Sequence, residues 1–234
     1  MDRTDEIDYF YELIHEFEDR VKGKRKLENC NGRMGWPKRG VYFFFEPGEF
    51  RHEKNTLRVV RVGTHALKTG SKTTLWNRLR QHRGTMTGSM KDGGNHRGSI
   101  FRLHVGTSIL RRDQIGDKYP TWGIGQSAPR ETRVGEYSIE VLVSKHIRSM
   151  PFLWLNIEDS PGPSSLRGYI ERNSIGLLSN YMREPIDPPS PSWLGKYCPN
   201  VNIQLSGLWN SNHVDQKADA NYLITLERII KKTR

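Results

Sequence analysis

Two closely spaced runs constrain this chain more than anything else in it. Residues 40–45 read Gly-Val-Tyr-Phe-Phe-Phe and stop at Pro47 and Gly48; residues 57–62 read Leu-Arg-Val-Val-Arg-Val and stop at Gly63. β-Branched and aromatic side chains pack well on a pleated surface and are stiff in a helix, so both runs predict strands. Their proximity predicts an antiparallel hairpin with a long loop.

Around the hairpin the periodicity turns helical. Ile7, Phe10, Tyr11, Ile14, Phe17 and Val21 recur at spacings of three and four, which gives residues 5–22 one apolar stripe that packs on the body or on another subunit. Thr73 or Thr74 can cap a helix that carries Leu75, Leu79 and His82 on one side and stops at Gly84, with Arg78 on it. The glycine-rich stretch 84–98 reads as a mobile basic loop, and 100–105 alternates like a strand. Residues 133–150 are helix-like, 152–157 form a short buried strand, and 160–165 make a loop with a capping serine. A helix of about 166–180 carries Glu171, prolines keep 185–191 irregular, and Leu223, Leu226 and Ile230 mark a last amphipathic helix near 215–232. Trp193, Trp209 and Tyr197 suit core filling better than base stacking.

Composition narrows the function classes. Lys and Arg number 37 against 26 Asp and Glu, a formal net charge of +11, which favours a polyanionic partner over a merely solvated surface. Part of that charge lies in the irregular basic stretch 22–39. Cys30 and Cys198 alone make neither a disulfide framework nor a four-ligand zinc site, and His65, His96, His104 and His213 lack paired zinc spacings. No run approaches a membrane span and the N-terminus is acidic, so a cytoplasmic protein is expected, with no membrane association.

Three features then occur in order: Gly40-Val41-Tyr42 opening the first strand, Arg61-Val62-Gly63-Thr64 closing the second, and a helix with Arg78 and, one turn on, His82. With the late Glu171, this order resembles the GIY-YIG nuclease family. The resemblance implies an α+β fold, a small, mainly antiparallel sheet flanked by helices. It implies a core over 40–184 with an insertion at about 84–150, an N-terminal helix and basic arm over 1–39 and a C-terminal helical extension over 185–234, all in one compact domain. It covers about residues 40–82 and 152–180. Tyr42, Arg78, His82 and Glu171 match the family's reaction centre, Asn180 more loosely its distal asparagine. Arg61 stands where the family's second tyrosine normally does, so Arg61 or His65 could help prepare the attacking water.

Those residue types suit phosphodiester hydrolysis, which needs an activated water and neutralisation of charge growing on the phosphate oxygens. A single glutamate suits Mg2+, which keeps several waters and takes other ligands from phosphate; Mn2+ could replace it. Arg78 offers a planar, permanently charged fork for the phosphate. Tyr42 could take the proton from water, and His82 could orient the tyrosine or the phosphate. Each also has an ordinary alternative: Tyr42 and His82 as core residues, Arg78 as a solvated helix position, Glu171 paired with Arg167 one turn earlier. The resemblance thus predicts a metal-dependent endonuclease acting on DNA, double-stranded and in restriction or defence. Lys38, Arg39, Lys72, Arg80 and Arg97 are the expected DNA contacts, and a homodimer would allow a double-strand cut. The alternatives are a DNA-binding module with a decayed centre and a structure-specific repair or recombination nuclease.

Overall fold

A computed structural model describes residues 2–52 and 55–233. The hairpin forms one side of a four-stranded sheet comprising β1 (Arg25–Lys26), β2 (Gly40–Phe50), β3 (Leu57–Gly63) and β4 (Pro151–Asn156), in the order β1-β4-β2-β3 with every neighbouring pair antiparallel. Its helices are α1 (Arg3–Arg20), α2 (Leu75–Arg83), α3 (Ile100–Arg112), α4 (Arg130–Gly135), α5 (Tyr137–Ser149), α6 (Leu166–Leu178), α7 (Val201–Ser206) and α8 (Tyr222–Lys232). This is the expected α+β class.

Strand alternation divides the molecule into layers. Val41, Phe43 and Phe45 enter a core with Phe10, Ile14 and Phe17 of α1, Ile170 of α6 and Leu226 of α8. Tyr42 and Phe44 enter a second core on the opposite face, with Leu75 and Leu79 of α2, Phe101 and Val105 of α3, Val143 of α5, Trp193 and Trp209. Each fully buried phenylalanine contributes about 1.5–3 kcal/mol relative to exposure, so the aromatic run in β2 ties both layers to one strand. Phe44 pairs with Arg61 but Phe45 with Val59, leaving Val60 as an extra residue in the ladder. This bulge interrupts the alternation and turns the neighbours Val60 and Arg61 toward the same core, Val60 within it and Arg61 over its Phe101 ring.

The outer edge of β3 is covered by the chain near its C-terminal end. Trp209 N donates to Val60 O at 2.7 Å, and the Asn210 side chain exchanges two hydrogen bonds with the main chain of Val62. Trp193 and Trp209 are buried, and both indole N–H groups donate to the Glu46 carboxylate at 3.0 Å, whereas Tyr197 is exposed.

Three expectations are corrected. Residues 100–105 are not a strand but the start of α3, capped by Ser99, with Phe101, Val105 and Ile109 forming its buried stripe. The stretch 84–98 is not a free loop: Arg148 binds the carbonyls of Arg83 and Thr85 and the Asp92 carboxylate, Ser144 holds Gly93 O, and Tyr137 donates to Lys91 O. The last helix begins at Tyr222 rather than near 215. Among the described residues no helix is long and apolar enough to cross a membrane.

Candidate active site

At one end of the sheet Tyr42, Gly63 and Trp154 stand side by side across three strands. Tyr42 is fully buried, and its hydroxyl lies 2.9 Å from His82 Nε2. Gly63 makes room for the ring: a Cβ there would lie 2.4 Å from Cζ and Oη of Tyr42. Gly40 is needed for close packing too, since its Cβ would lie 2.5 Å from Leu155 O.

His82 is held from its other side, with Nδ1 2.8 Å from Ser99 Oγ. Ser99 Oγ already accepts from Arg102 N as the cap of α3. Among the described residues its own proton has no acceptor other than His82 Nδ1, which assigns the remaining imidazole proton to Nε2, facing the Tyr42 oxygen. Burial, reinforced by the nearby Arg78, Arg61 and Arg102 cations, holds His82 well below the usual histidine range and therefore neutral. Arg102 fixes this end of α2 by donating to His82 O while binding Glu140 and Ser144.

The opposite layer supplies the acid. Glu171 of α6 is half-buried, and its Oε1 accepts the N–H of Thr64, the residue after β3, at 3.0 Å. Burial pushes its carboxyl up, opposed by the Arg61 cation, the Thr64 hydrogen bond and Arg78. The alternative pairing with Arg167 is absent, because Arg167 binds Asp159 and the carbonyl of His65. Arg61 is buried, donates to Trp209 O and lies 4.6 Å over the Phe101 ring. Burial lowers its pKa, with Tyr42 acting in the opposite sense, so a cation adjoins both the Tyr42 oxygen and Glu171.

These groups line two adjoining clefts of about 410 and 250 Å3 that share Thr64, Leu67, Arg78 and Glu171. Tyr42 and Arg61 line the second, and Arg78 is steadied by Gln81 Oε1 at 3.1 Å and Gly98 O at 3.3 Å. His65 lines the first; burial pushes it down to about 4, and its Nε2 faces Lys38 O at 3.3 Å. Asn210, Ser211, Asn212 and His213 complete the wall and were not singled out from the sequence as site residues. Their only sequence signal is a polar run directly after a tryptophan.

The donor set fits one hard cation. No group of three or more His, Cys, Asp or Glu side chains positioned for a metal occurs among the described residues, so a closed protein cage is absent there. Among the described residues Glu171 is the one carboxylate in the clefts, and its Oε2 accepts no hydrogen bond. A single carboxylate in an open cleft suits Mg2+ or Mn2+, which retain water ligands.

The expected DNA contacts divide. Lys38, Lys72 and Arg80 are exposed, and Arg39 is half-buried with its guanidinium on Asp159 O. Arg97 does not fit the expectation: its side chain is only 2% exposed and grips Glu136 with both terminal nitrogens, so it braces the α3–α5 region. Asn180 is likewise structural, accepting from Arg3 and Ile186 N.

A family model described as a GIY-YIG domain matches residues 1–234. No curated protein and no solved structure matches the chain.

Proposed function

This chain belongs to the GIY-YIG domain family, and on that premise we propose that it is a metal-dependent endonuclease that hydrolyses double-stranded DNA in restriction or defence. The observation that carries the reading is convergence: Tyr42 with its His82 partner, Arg61 and Arg78 from one layer meet Glu171 from the other in one cleft.

Arg78, at the mouth shared by both clefts, receives the nonbridging oxygens of the scissile phosphate, where its fork geometry counts most. Tyr42 takes the proton of the attacking water in its phenolate form. The Nε2–H of His82 donates to that oxygen, and Arg61 places a cation beside it. Arg61 thereby occupies the place of the family's second tyrosine with charge instead of a hydroxyl. Glu171 would hold a divalent cation, which when bound supplies charge neutralisation at the phosphate and the leaving oxygen. The exposed Lys38, Lys72 and Arg80 supply further phosphate contacts at the rim.

The test is cleavage of supercoiled plasmid with Mg2+ or Mn2+ by wild type, Glu171→Gln and Arg78→Ala. Nicked and linear products from wild type, with both variants reduced by at least about 100-fold, are expected. Equal activity in all three would sink the assignment, and a wild type that binds DNA but never cuts would favour a decayed centre.

A further inference from the structure

A groove of about 950 Å3 lies along the edge of β4, lined by residues other than those of the catalytic clefts. The two free edges of the main sheet are treated differently. The β3 edge is sealed by residues 209–210, as described above. On the other side β1 covers β4 only at Pro151 and Phe152, and from Leu153 onward the β4 edge has no strand beside it among the described residues. An open edge is normally blunted or occupied.

The lining of this groove is strongly cationic. Arg20, Lys22, Arg25 and Lys232 border it and, among the described residues, no Asp or Glu does. Arg20 is paired with Glu16 at 2.7 Å, whereas Lys22, Arg25 and Lys232 have no ion-pair partner among the described residues. The nearby Glu158 accepts the N–H of Arg39 and is not among the residues lining the groove. Trp154 contributes an aromatic wall, its ring 4.6 Å from that of Trp36.

The groove lies at the same end of the sheet as the catalytic cleft. Gly40 pairs with Asn156 and Tyr42 with both Gly63 and Trp154, so the end of β3 at the cleft and the end of β4 at the groove lie at the same end of the sheet. Pro37 lines the groove, and the next residue, Lys38, meets His65 of the cleft through its carbonyl. Strands are about 4.8 Å apart, so cleft and groove are separated by roughly 10–15 Å. At about 3.4 Å per step along one strand of a duplex, that is roughly three or four nucleotides.

We propose that this groove is a second DNA track, in which Lys22, Arg25 and Lys232 hold the phosphates flanking the bond cut in the catalytic cleft. The proposal rests on the reading that DNA occupies that cleft. A polynucleotide fits better than an acidic peptide, because its charges recur at every step and because one duplex reaches both sites.

The experiment measures the salt dependence of binding to a random-sequence duplex of roughly 30 base pairs for wild type, K22A/R25A/K232A and a control, K118A/K145A/R228A. The control removes three exposed cations outside the groove. Each lost phosphate contact lowers the slope of log K against log salt by about 0.9. The groove variant is expected to lose two to three from the slope and to bind tens-fold more weakly in about 0.1 M salt, with the control near wild type and all three equally folded by circular dichroism. A groove variant with wild-type slope, or a control that loses as much, overturns the proposal. So does binding of poly-glutamate that depends on the groove cations while DNA binding does not. If wild type cuts plasmid while the groove variant keeps the wild-type slope, this inference alone fails; if wild type neither binds nor cuts DNA, the nuclease reading fails with it.

Discussion

Gly63→Ala tests the reaction centre without touching any group assigned to chemistry. The new methyl carbon would lie 2.4 Å from Cζ and Oη of Tyr42 and 2.6 Å from its Cε2, where ordinary contact begins about 1 Å further out. Gly63 does not occupy the left-handed region, so alanine strains no backbone and the clash must be relieved by the ring. That ring is fully buried, with Phe44 and His82 each 5.6 Å away between centroids. Overpacking of this kind costs about 1–3 kcal/mol, and at roughly 2–4 °C per kcal/mol for a chain of this size the Tm should fall by several degrees. Retreat of the ring by about 1 Å breaks its alignment with His82, and misplacement on that scale costs about 100-fold in rate. Single-turnover nicking of plasmid measures the rate, duplex binding without divalent cation should be unchanged, and Gly135→Ala, where a methyl group meets nothing within 4 Å, is the control. A Gly63→Ala protein with wild-type rate and Tm would refute the claim that this glycine exists to seat Tyr42.

Two further predictions concern charge. Burial pushes His65 and His104 down to about 4 and His82 well below its usual range; the unfolded chain takes up these protons near 6.5 and the folded one does not. Stability is therefore complete above about pH 6.5 and falls as the pH drops toward 4, by up to about 1.4 kcal/mol per pH unit for each histidine. Melting curves between pH 7.5 and 5 should show this, His65→Gln should flatten the slope, and a pH-independent Tm would contradict it. Arg61→Met should leave the Trp209 carbonyl unpartnered at a cost of about 1–3 kcal/mol, and slow single-turnover cleavage by roughly 100-fold while DNA affinity barely changes; a wild-type rate would remove Arg61 from the centre.

What the sequence revealed and what it hid follow from the range of the forces involved. The hairpin, the Thr74 cap, the Gly84 stop and the face shared by Leu75, Leu79 and His82 are encoded by neighbours, and the structure reproduces them. The first turns of α3 misled because Ile100, Arg102 and His104 alternate with Phe101, Leu103 and Val105, and Arg102 reads as a solvent residue. Its burial depends on Glu140, thirty-eight positions away. The tethering of 84–98 by Arg148 and the capture of Arg97 by Glu136 are likewise distant pairings that no local pattern announces. At the site, the motif order singled out Tyr42, Arg61, Arg78, His82 and Glu171, but not Ser99, which sets the histidine tautomer, nor Asn210, which pins β3.

The seal along β3 imposes an order on assembly. A chain emerging from the ribosome presents Tyr42, Arg61 and Arg78 early and Glu171 later, yet the strand that carries Arg61 stays an open edge until Trp209 and Asn210 arrive to close it. The guanidinium has no Trp209 carbonyl to hold it and the cleft lacks one wall until then. A truncated or half-made copy thus holds Tyr42, Arg61, Arg78 and Glu171 without the frame that aims them.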